Sequence, residues 1–281
     1  MKVSGFTICR NAVKFDFPIV EAISSALPIV DEFIVNVGQS DDGTLDLIRS
    51  IGSEKIRIVE SIWDDSMKKD GLLFSHETNK ALSHCTGDWA LYLQADEVLH
   101  EAEYGRLQQA FREHLSNAVV LGLTFRYLHF YGDYYSCNPW FYHRAVRAIR
   151  NDGQAESCGD AVGFWLKADH GYLQSVHKDR VRASGATIYH YGWVKPPRVL
   201  LDKFRYQVAR HHGDQPGEEQ ARMLACDEFK FEDYDIMKNF TGTHPAVMAE
   251  RVRRYPTLKP GRNRWLEPAF YKAVLQRGFR G

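Results

Sequence analysis

The sequence predicts an α/β domain built on a mixed, mostly parallel sheet flanked by helices, with a helical extension at its C-terminal end. Three observations predict it. β-Prone runs alternate with helical apolar spacing over the first hundred residues, β-prone runs without intervening helices follow from about Ala118, and helical periodicity returns after Pro196-Pro197. The expected division is residues 1–195 for the sheet domain and 196–281 for the extension.

Val3 to Cys9 is β-prone, and Ile19, Val20, Ile23 and Leu27 carry the spacing of a helix packed on a sheet. Pro28 interrupts that helix. Glu32 to Val37 is a second strand entering the loop Gly38-Gln-Ser-Asp-Asp-Gly-Thr44, and Thr44 to Ile51 is again helical. Lys55 to Glu60 reads as a third strand and Leu72 to His84 as a helix closed by Thr86-Gly87. Trp89 to Leu93 is then a short apolar strand running into Asp96 and Glu97. Beyond it, Val119 to Leu128, Ala145 to Ile149 and Thr187 to Tyr191 read as strands added antiparallel to the sheet. Val199 to His211, Gly217 to Cys226 and the basic tail from Thr243 read as helical.

Composition narrows the function classes. The 281 residues include 36 basic and 36 acidic side chains, so no net charge draws the chain toward nucleic acid. Cys9, Cys85, Cys137, Cys158 and Cys226 are odd in number and form no CxxC pair, which points to a reducing compartment. The first ten residues read as a strand rather than a signal peptide, and no apolar run reaches the length of a membrane span. A soluble, cytoplasmic protein is the expectation.

The acids after the Trp89 to Leu93 strand are the first candidate site. Hard divalent cations prefer carboxylate oxygens on rigid supports, and ligands of parallel sheets bind beyond the carboxyl ends of the strands. Acids opening a helix are the competing account. Asp41 and Asp42 reach the same sheet edge, where either also serves as a helix cap before Thr44. Arg10 and Lys69 are candidate phosphate contacts. Tyr127, Phe130, Tyr131, Tyr134, Tyr135, Trp140 and Phe141 form an expected acceptor pocket, with core packing as the alternative. The His211-His212 pair reads as a solvated helix end, because adjacent helix positions do not face each other.

A strand ending in Arg10-Asn11, Ser40-Asp-Asp-Gly-Thr44 after the second strand, a helix bearing Asn79 and Ala81, and Gly87-Asp-Trp before Gln94-Ala-Asp-Glu97 occur in that order. Together they resemble the family 2 glycosyltransferases of GT-A fold, strongly over residues 1–105 and more weakly to Trp193. The resemblance implies transfer of a sugar from a nucleotide-sugar donor to a saccharide or lipid-linked acceptor. It also implies Mg²⁺ or Mn²⁺ bridging the donor diphosphate to the protein, since a divalent cation stabilises the charge of a departing diphosphate. Asp96 stands where the second acid of the family's DxD motif does, as metal ligand and donor contact, with Glu97 beside it. Gln94 replaces the first acid as a donor contact, an uncharged amide able to hydrogen-bond ribose or a metal-bound water, and Asn36-Val37-Gly38 stands where the family commonly has an acid that reads the base.

Within that resemblance, Arg10 and Asp42 are donor-binding candidates, and His190 in Ile188-Tyr-His-Tyr-Gly-Trp193 takes the position of a metal- or diphosphate-binding histidine. Its alternative is a hydrogen-bonded core histidine. Inverting transfer needs a general base at the acceptor hydroxyl. Asp152, Glu156 and Asp160 are at hand, and Asp160, in the small-residue turn Ser157-Cys-Gly-Asp-Ala161, is the choice. From Glu250 onward, Arg251, Arg253, Arg254, Lys259, Arg262, Arg264, Lys272, Arg277 and Arg280 interleave with Trp265, Phe270, Tyr271 and Phe279. That pattern suits peripheral contact with an anionic membrane, or ion pairing with the N-terminal half. The rival functions are a catalytically silent nucleotide-sugar-binding protein, motivated by Gln94, and a nucleotidyltransferase. The latter lacks its glycine-rich loop, since Cys9-Arg-Asn-Ala-Val13 holds no glycine.

Overall fold

The computed structural model describes residues 1–67, 70–211, 217–255 and 263–278. In chain order these form β1 (Val3–Cys9), α1 (Ile19–Ala26), β2 (Glu32–Gly38), α2 (Thr44–Arg49), β3 (Ile56–Ser61), α3 (Leu72–Ser83), β4 (Trp89–Tyr92), β5 (Glu97–Leu99), α4 (Tyr104–Leu115) and β6 (Gly122–Tyr131). They continue as β7 (Ser136–Cys137), β8 (Arg144–Arg150), β9 (Ala155–Cys158), β10 (Gly163–Leu166), β11 (Val181–Trp193), α5 (Pro197–His211), α6 (Glu218–Leu224), β12 (Lys238–Asn239), α7 (Ala249–Arg254) and α8 (Pro268–Arg277).

The order β3-β2-β1-β4 is parallel throughout, as the alternating pattern predicts. Strands β1 and β4 are buried along their whole length, which is why they read as unbroken apolar runs rather than alternating ones. Successive residues still point to opposite faces. Phe33, Val35 and Leu91 meet α1, α2 and α4 through Ile23, Ile48 and Phe111. On the other face, Phe6, Ile34, Ala90 and Tyr92 meet α3 and the β9–β10 hairpin through Leu73, Ala81 and Phe164. Trp89 donates its indole N–H to the Phe111 carbonyl (3.1 Å), tying β4 to α4.

Strand β8 joins β4 antiparallel, and β6 joins β8 antiparallel, as expected. Strand β11 departs from that expectation, because it pairs parallel with β6 and antiparallel with β5. Asp152-Gly153 forms a turn with Gly153 at φ 80°, but β9 then pairs with β10 and not with β8. Helix α5 follows Pro196 and lays one face over the carboxyl edge of the sheet. Arg251 of α7 binds Asp16 (2.7 Å) and Glu21 (2.6 Å), so part of the basic tail is ion-paired to the N-terminal half. Lys259, Arg262, Phe279 and Arg280 lie outside the described residues, as do Lys69, His212 and the His211 side chain. No helix among the described residues is long and apolar enough to cross a membrane.

Candidate active site

A cleft of about 260 Å³ opens at the carboxyl ends of β1 and β4. Four of the residues singled out in the sequence with donor-binding, metal or catalytic roles meet there with Asp160: Arg10, Gln94, Asp96 and His190 line it. β4 ends at Tyr92, and the turn after it carries Gln94 and Asp96 to the rim. Strand β11 brings His190, and the turn between β9 and β10 brings Asp160, whose Oδ1 accepts the Val162 N–H (3.2 Å). Asn79 of α3 positions that segment from behind: its amide bonds both the Ser157 N–H (2.8 Å) and the Ser157 carbonyl (3.0 Å).

Asp96 is 5% exposed, and its two oxygens face different partners. Lys203 of α5 donates to Oδ2 (3.0 Å) and to the Gly192 carbonyl (3.0 Å). His190 Nε2 stands 3.6 Å from Oδ1. Burial alone would raise the Asp96 pKa, but Lys203, then His190 and Lys195, outweigh it and hold the carboxyl well below the usual range. Lys195, 3% exposed, donates to the Asp16 carbonyl (2.7 Å), and burial followed by repulsion from Lys203 brings its pKa down to about 7. Burial likewise lowers His190 to about 4 and the neighbouring His129 to about 3, so both rings are neutral at pH 7. Gly192 makes this crowding possible: a Cβ there would lie 2.7 Å from His190 Cε1 and 2.8 Å from Asp96 Oδ2.

The cleft's outer wall is aromatic and cationic. Phe15, Trp63, Phe74 and Tyr206 line it with Arg10. Asp65 accepts from Arg10 (2.8 and 3.1 Å) and from Arg210 (2.5 Å), joining the end of β1 to α5. The Arg10 and Arg210 Nε atoms and Trp63 Nε1 are buried without a hydrogen-bond partner among the described residues.

Three sequence expectations are corrected. Glu97 is fully buried and does not reach the cleft. Its carboxylate takes a bidentate pair from Arg147 (2.8 and 2.9 Å), the Tyr127 hydroxyl (2.7 Å) and the Gln94 N–H (3.1 Å), which leaves it no role as a metal ligand. Asp42 is a loop staple rather than a donor contact. Its Oδ1 accepts from the Thr44 N–H and hydroxyl, its Oδ2 accepts from the Lys14 N–H, and it lies outside the cleft lining. The seven expected acceptor aromatics do not form the cleft wall: Phe130, for example, is buried and stacks on Tyr191 at 4.7 Å and 11°, while Tyr135 is exposed away from it. None of the seven lines the cleft, whereas the next residue, Tyr142, does.

Lys203, Tyr206 and Gln207 of α5, with Trp63 and Tyr142, are among the cleft residues the sequence reading missed, as is the buried Lys195 near Asp96. Their only local signal is the i, i+3, i+4, i+7 spacing of Lys203, Tyr206, Gln207 and Arg210, which places them on one helix face.

The donor set suits a divalent cation that the substrate helps to hold. Two ligands about 2.1 Å from one ion are about 3 Å apart at a right angle and about 4 Å apart when opposite. The 3.6 Å between Asp96 Oδ1 and His190 Nε2 falls between these limits. Among the described residues no cage of three or more His, Cys, Asp or Glu exists. Mg²⁺-type sites commonly take one or two protein ligands and complete their shell with phosphate oxygens and water.

Comparison with known proteins gives partial matches. No protein-family model matches the chain. A protein named an uncharacterized glycosyltransferase in Rickettsia typhi is 28% identical over 113 residues, covering 40% of this chain and 34% of the relative. A counterpart of the same description in Rickettsia prowazekii is 29% identical over 113 residues, with the same coverage. The matched stretch thus spans about a third of those relatives. Among solved structures, S. aureus TarS 1-349 in complex with UDP has a TM-score of 0.45 at 14% identity, covering 80% of this chain and 70% of that one. Glucosyl-3-phosphoglycerate synthase from Mycobacterium tuberculosis, in complex with Mn²⁺, UDP and phosphoglyceric acid, has a TM-score of 0.43 at 15% identity, covering 73% of this chain and 74% of that one.

Proposed function

We propose that this chain is a metal-dependent, inverting glycosyltransferase that moves a sugar from a nucleotide-sugar donor to a glycan or lipid-linked acceptor. The observation that carries the reading is the facing pair of Asp96 Oδ1 and His190 Nε2 at the carboxyl edge of a parallel sheet. The order of motifs around Arg10-Asn11, Gly87-Asp-Trp and Gln94-Ala-Asp, and the glycosyltransferase names of the partial relatives, support it.

In this reading Asp96 and His190 hold Mg²⁺ or Mn²⁺, which when bound neutralises charge on the donor diphosphate. Lys203 adds positive charge beneath that position and keeps Asp96 ionised and oriented, while Lys195 adds charge only in its protonated form. Gln94 contributes a neutral amide where the family pattern has an acid. The Arg10, Trp63 and Tyr206 wall receives the nucleoside end of the donor. Asp160, on the other side of the cleft from α5, takes the proton of the acceptor hydroxyl as the sugar carbon is attacked.

The α8 region exposes Trp265, Leu266, Tyr271 and Leu275 beside Lys272 and Arg277, and this face is our candidate for peripheral contact with an anionic membrane that presents a lipid-linked acceptor. Thermal-shift measurements with UDP-, GDP-, dTDP- and CMP-linked sugars, each with and without Mn²⁺, test the donor assignment. One nucleotide class is expected to stabilise the protein, and more strongly with Mn²⁺. No stabilisation by any of the four would remove the reading. Binding without donor hydrolysis or transfer would reduce the protein to a nucleotide-sugar binder.

A further inference from the structure

Behind the Asp96 carboxylate two imidazoles stand side by side. His129 of β6 and His190 of β11 are register partners in the parallel pair, and their Nδ1 atoms are 3.1 Å apart. One proton lies in that contact. The other end of His129 settles which ring supplies it, because His129 Nε2 is 2.8 Å from the Tyr142 carbonyl oxygen. A carbonyl only accepts, so His129 Nε2 carries a hydrogen and its Nδ1, in the neutral ring, presents a lone pair. The shared proton therefore belongs to His190 Nδ1, and His190 Nε2 is bare.

The far side of His190 agrees. Nε2 is 3.6 Å from Asp96 Oδ1, whereas an N–H donating to a carboxylate would close to about 2.7–2.9 Å. Two lone pairs with no hydrogen between them keep this distance. The His129 ring cannot turn easily to undo the arrangement. Tyr127 stacks on it (5.1 Å, 20°), and Phe141 and Tyr142 meet it edge-on at 5.3 and 4.5 Å.

We infer that His129 is a positioning residue that locks His190 in the tautomer whose Nε2 lone pair faces Asp96, making His190 a cation ligand and not a hydrogen-bond donor. His129 is 3% exposed and does not line the cleft, so it touches the site only through His190 and through Tyr142, whose carbonyl it holds. A ligating histidine normally donates its other ring N–H to an outer partner, most often a carboxylate, backbone carbonyl or water. Here a second imidazole fills that place. The tautomer follows, for two neutral rings, from these contacts and from the 3.6 Å gap to Asp96, while the ligand role rests on the proposed cation at Asp96.

The two parts are tested separately. ¹⁵N-histidine NMR of the metal-free protein reads the tautomer: His190 is expected to be protonated at Nδ1, and protonation at Nε2 would overturn the inference. Mn²⁺ titration calorimetry reads the ligand role. His129→Phe keeps a ring without an acceptor, and its Mn²⁺ affinity should fall about 10- to 100-fold. His129→Asn places an amide oxygen near the former Nδ1 position and should recover most of that loss, which a merely structural role would not produce. Unchanged affinity in folded His129→Phe would overturn the positioning role. Wild-type protein with the Nδ1–H tautomer but no Mn²⁺ binding would instead overturn the cation reading and the ligand role with it.

Discussion

Replacing Glu97 with Gln separates the core function of this carboxylate from the metal role its sequence position suggests. Glu97 accepts four hydrogen bonds, two of them from Arg147, and both side chains of the ion pair are fully buried. The substitution leaves the Arg147 guanidinium uncompensated in the core and turns an amide N–H₂ toward its N–H groups, which only donate. Breaking a buried pair from one side costs about 3–5 kcal/mol. Urea unfolding followed by far-UV circular dichroism should then show a midpoint lowered by about 1 M or more, given slopes of about 1–3 kcal/mol per molar. Mn²⁺ affinity of the folded fraction should stay within about twofold of wild type. Replacing both partners, as Glu97→Leu with Arg147→Met, should recover much of the loss, because an apolar pair removes the desolvation cost of both charges. A loss below about 1 kcal/mol, accompanied by weakened Mn²⁺ binding, would refute the core assignment and return Glu97 to the metal site.

Two further outcomes follow from particular distances. Gly192→Ala puts a methyl group 2.7 Å from His190 Cε1 and 2.8 Å from Asp96 Oδ2, and calorimetry should show Mn²⁺ binding weakened by at least about tenfold. Retained affinity would mean that the two ligands tolerate separation. Glu32 accepts from the Ser4 hydroxyl (2.5 Å) and from the Thr86 N–H and hydroxyl (2.8 and 2.7 Å); these bonds outweigh burial and lower its pKa from 4.5 to about 2. An unfolded chain takes up that proton first on acidification, so the contribution of Glu32 is present above about pH 4.5 and lost as pH falls toward 2. Glu32→Gln should therefore lower stability at pH 7 by at most about 3 kcal/mol, and its deficit relative to wild type should vanish near pH 2. A deficit independent of pH would contradict this origin.

Local pattern revealed the first half of the fold because it is local in construction: β1, β2 and β3 each lie beside a strand joined to them by a short helical crossover, and only β4 crosses back to pair with β1. The second half is not. Strand β11 reaches β6 only after β7 to β10 have intervened, so nothing near residues 181–193 announces a parallel partner. The same boundary divides the site. Asp96, Gln94, Arg10, His190 and Asp160 were legible because strand ends and small-residue turns deliver side chains to a sheet edge. Treating Asp96 and Glu97 as one acid pair overlooked the turn between β4 and β5: Asp96 ends that turn and faces the cleft, while Glu97 opens β5 and goes beneath it. Asp42 instead ties its own loop together, accepting from the Thr44 N–H and hydroxyl and from the Lys14 N–H, while Gly43 occupies the cap position of α2. Lys203 was illegible, since its partner lies 107 residues away across the fold and only the packing of α5 over the sheet edge brings them together.

The most direct measurement is calorimetric titration of the nucleotide released by the stabilising donor class, in Mn²⁺ and in its absence, into wild-type protein and into Asp96→Asn. That substitution keeps the side chain's shape and removes its charge. The account predicts that Mn²⁺ tightens nucleotide binding to the wild type at least tenfold and that Asp96→Asn abolishes this increment while still binding the nucleoside end. An increment of equal size in Asp96→Asn would contradict it.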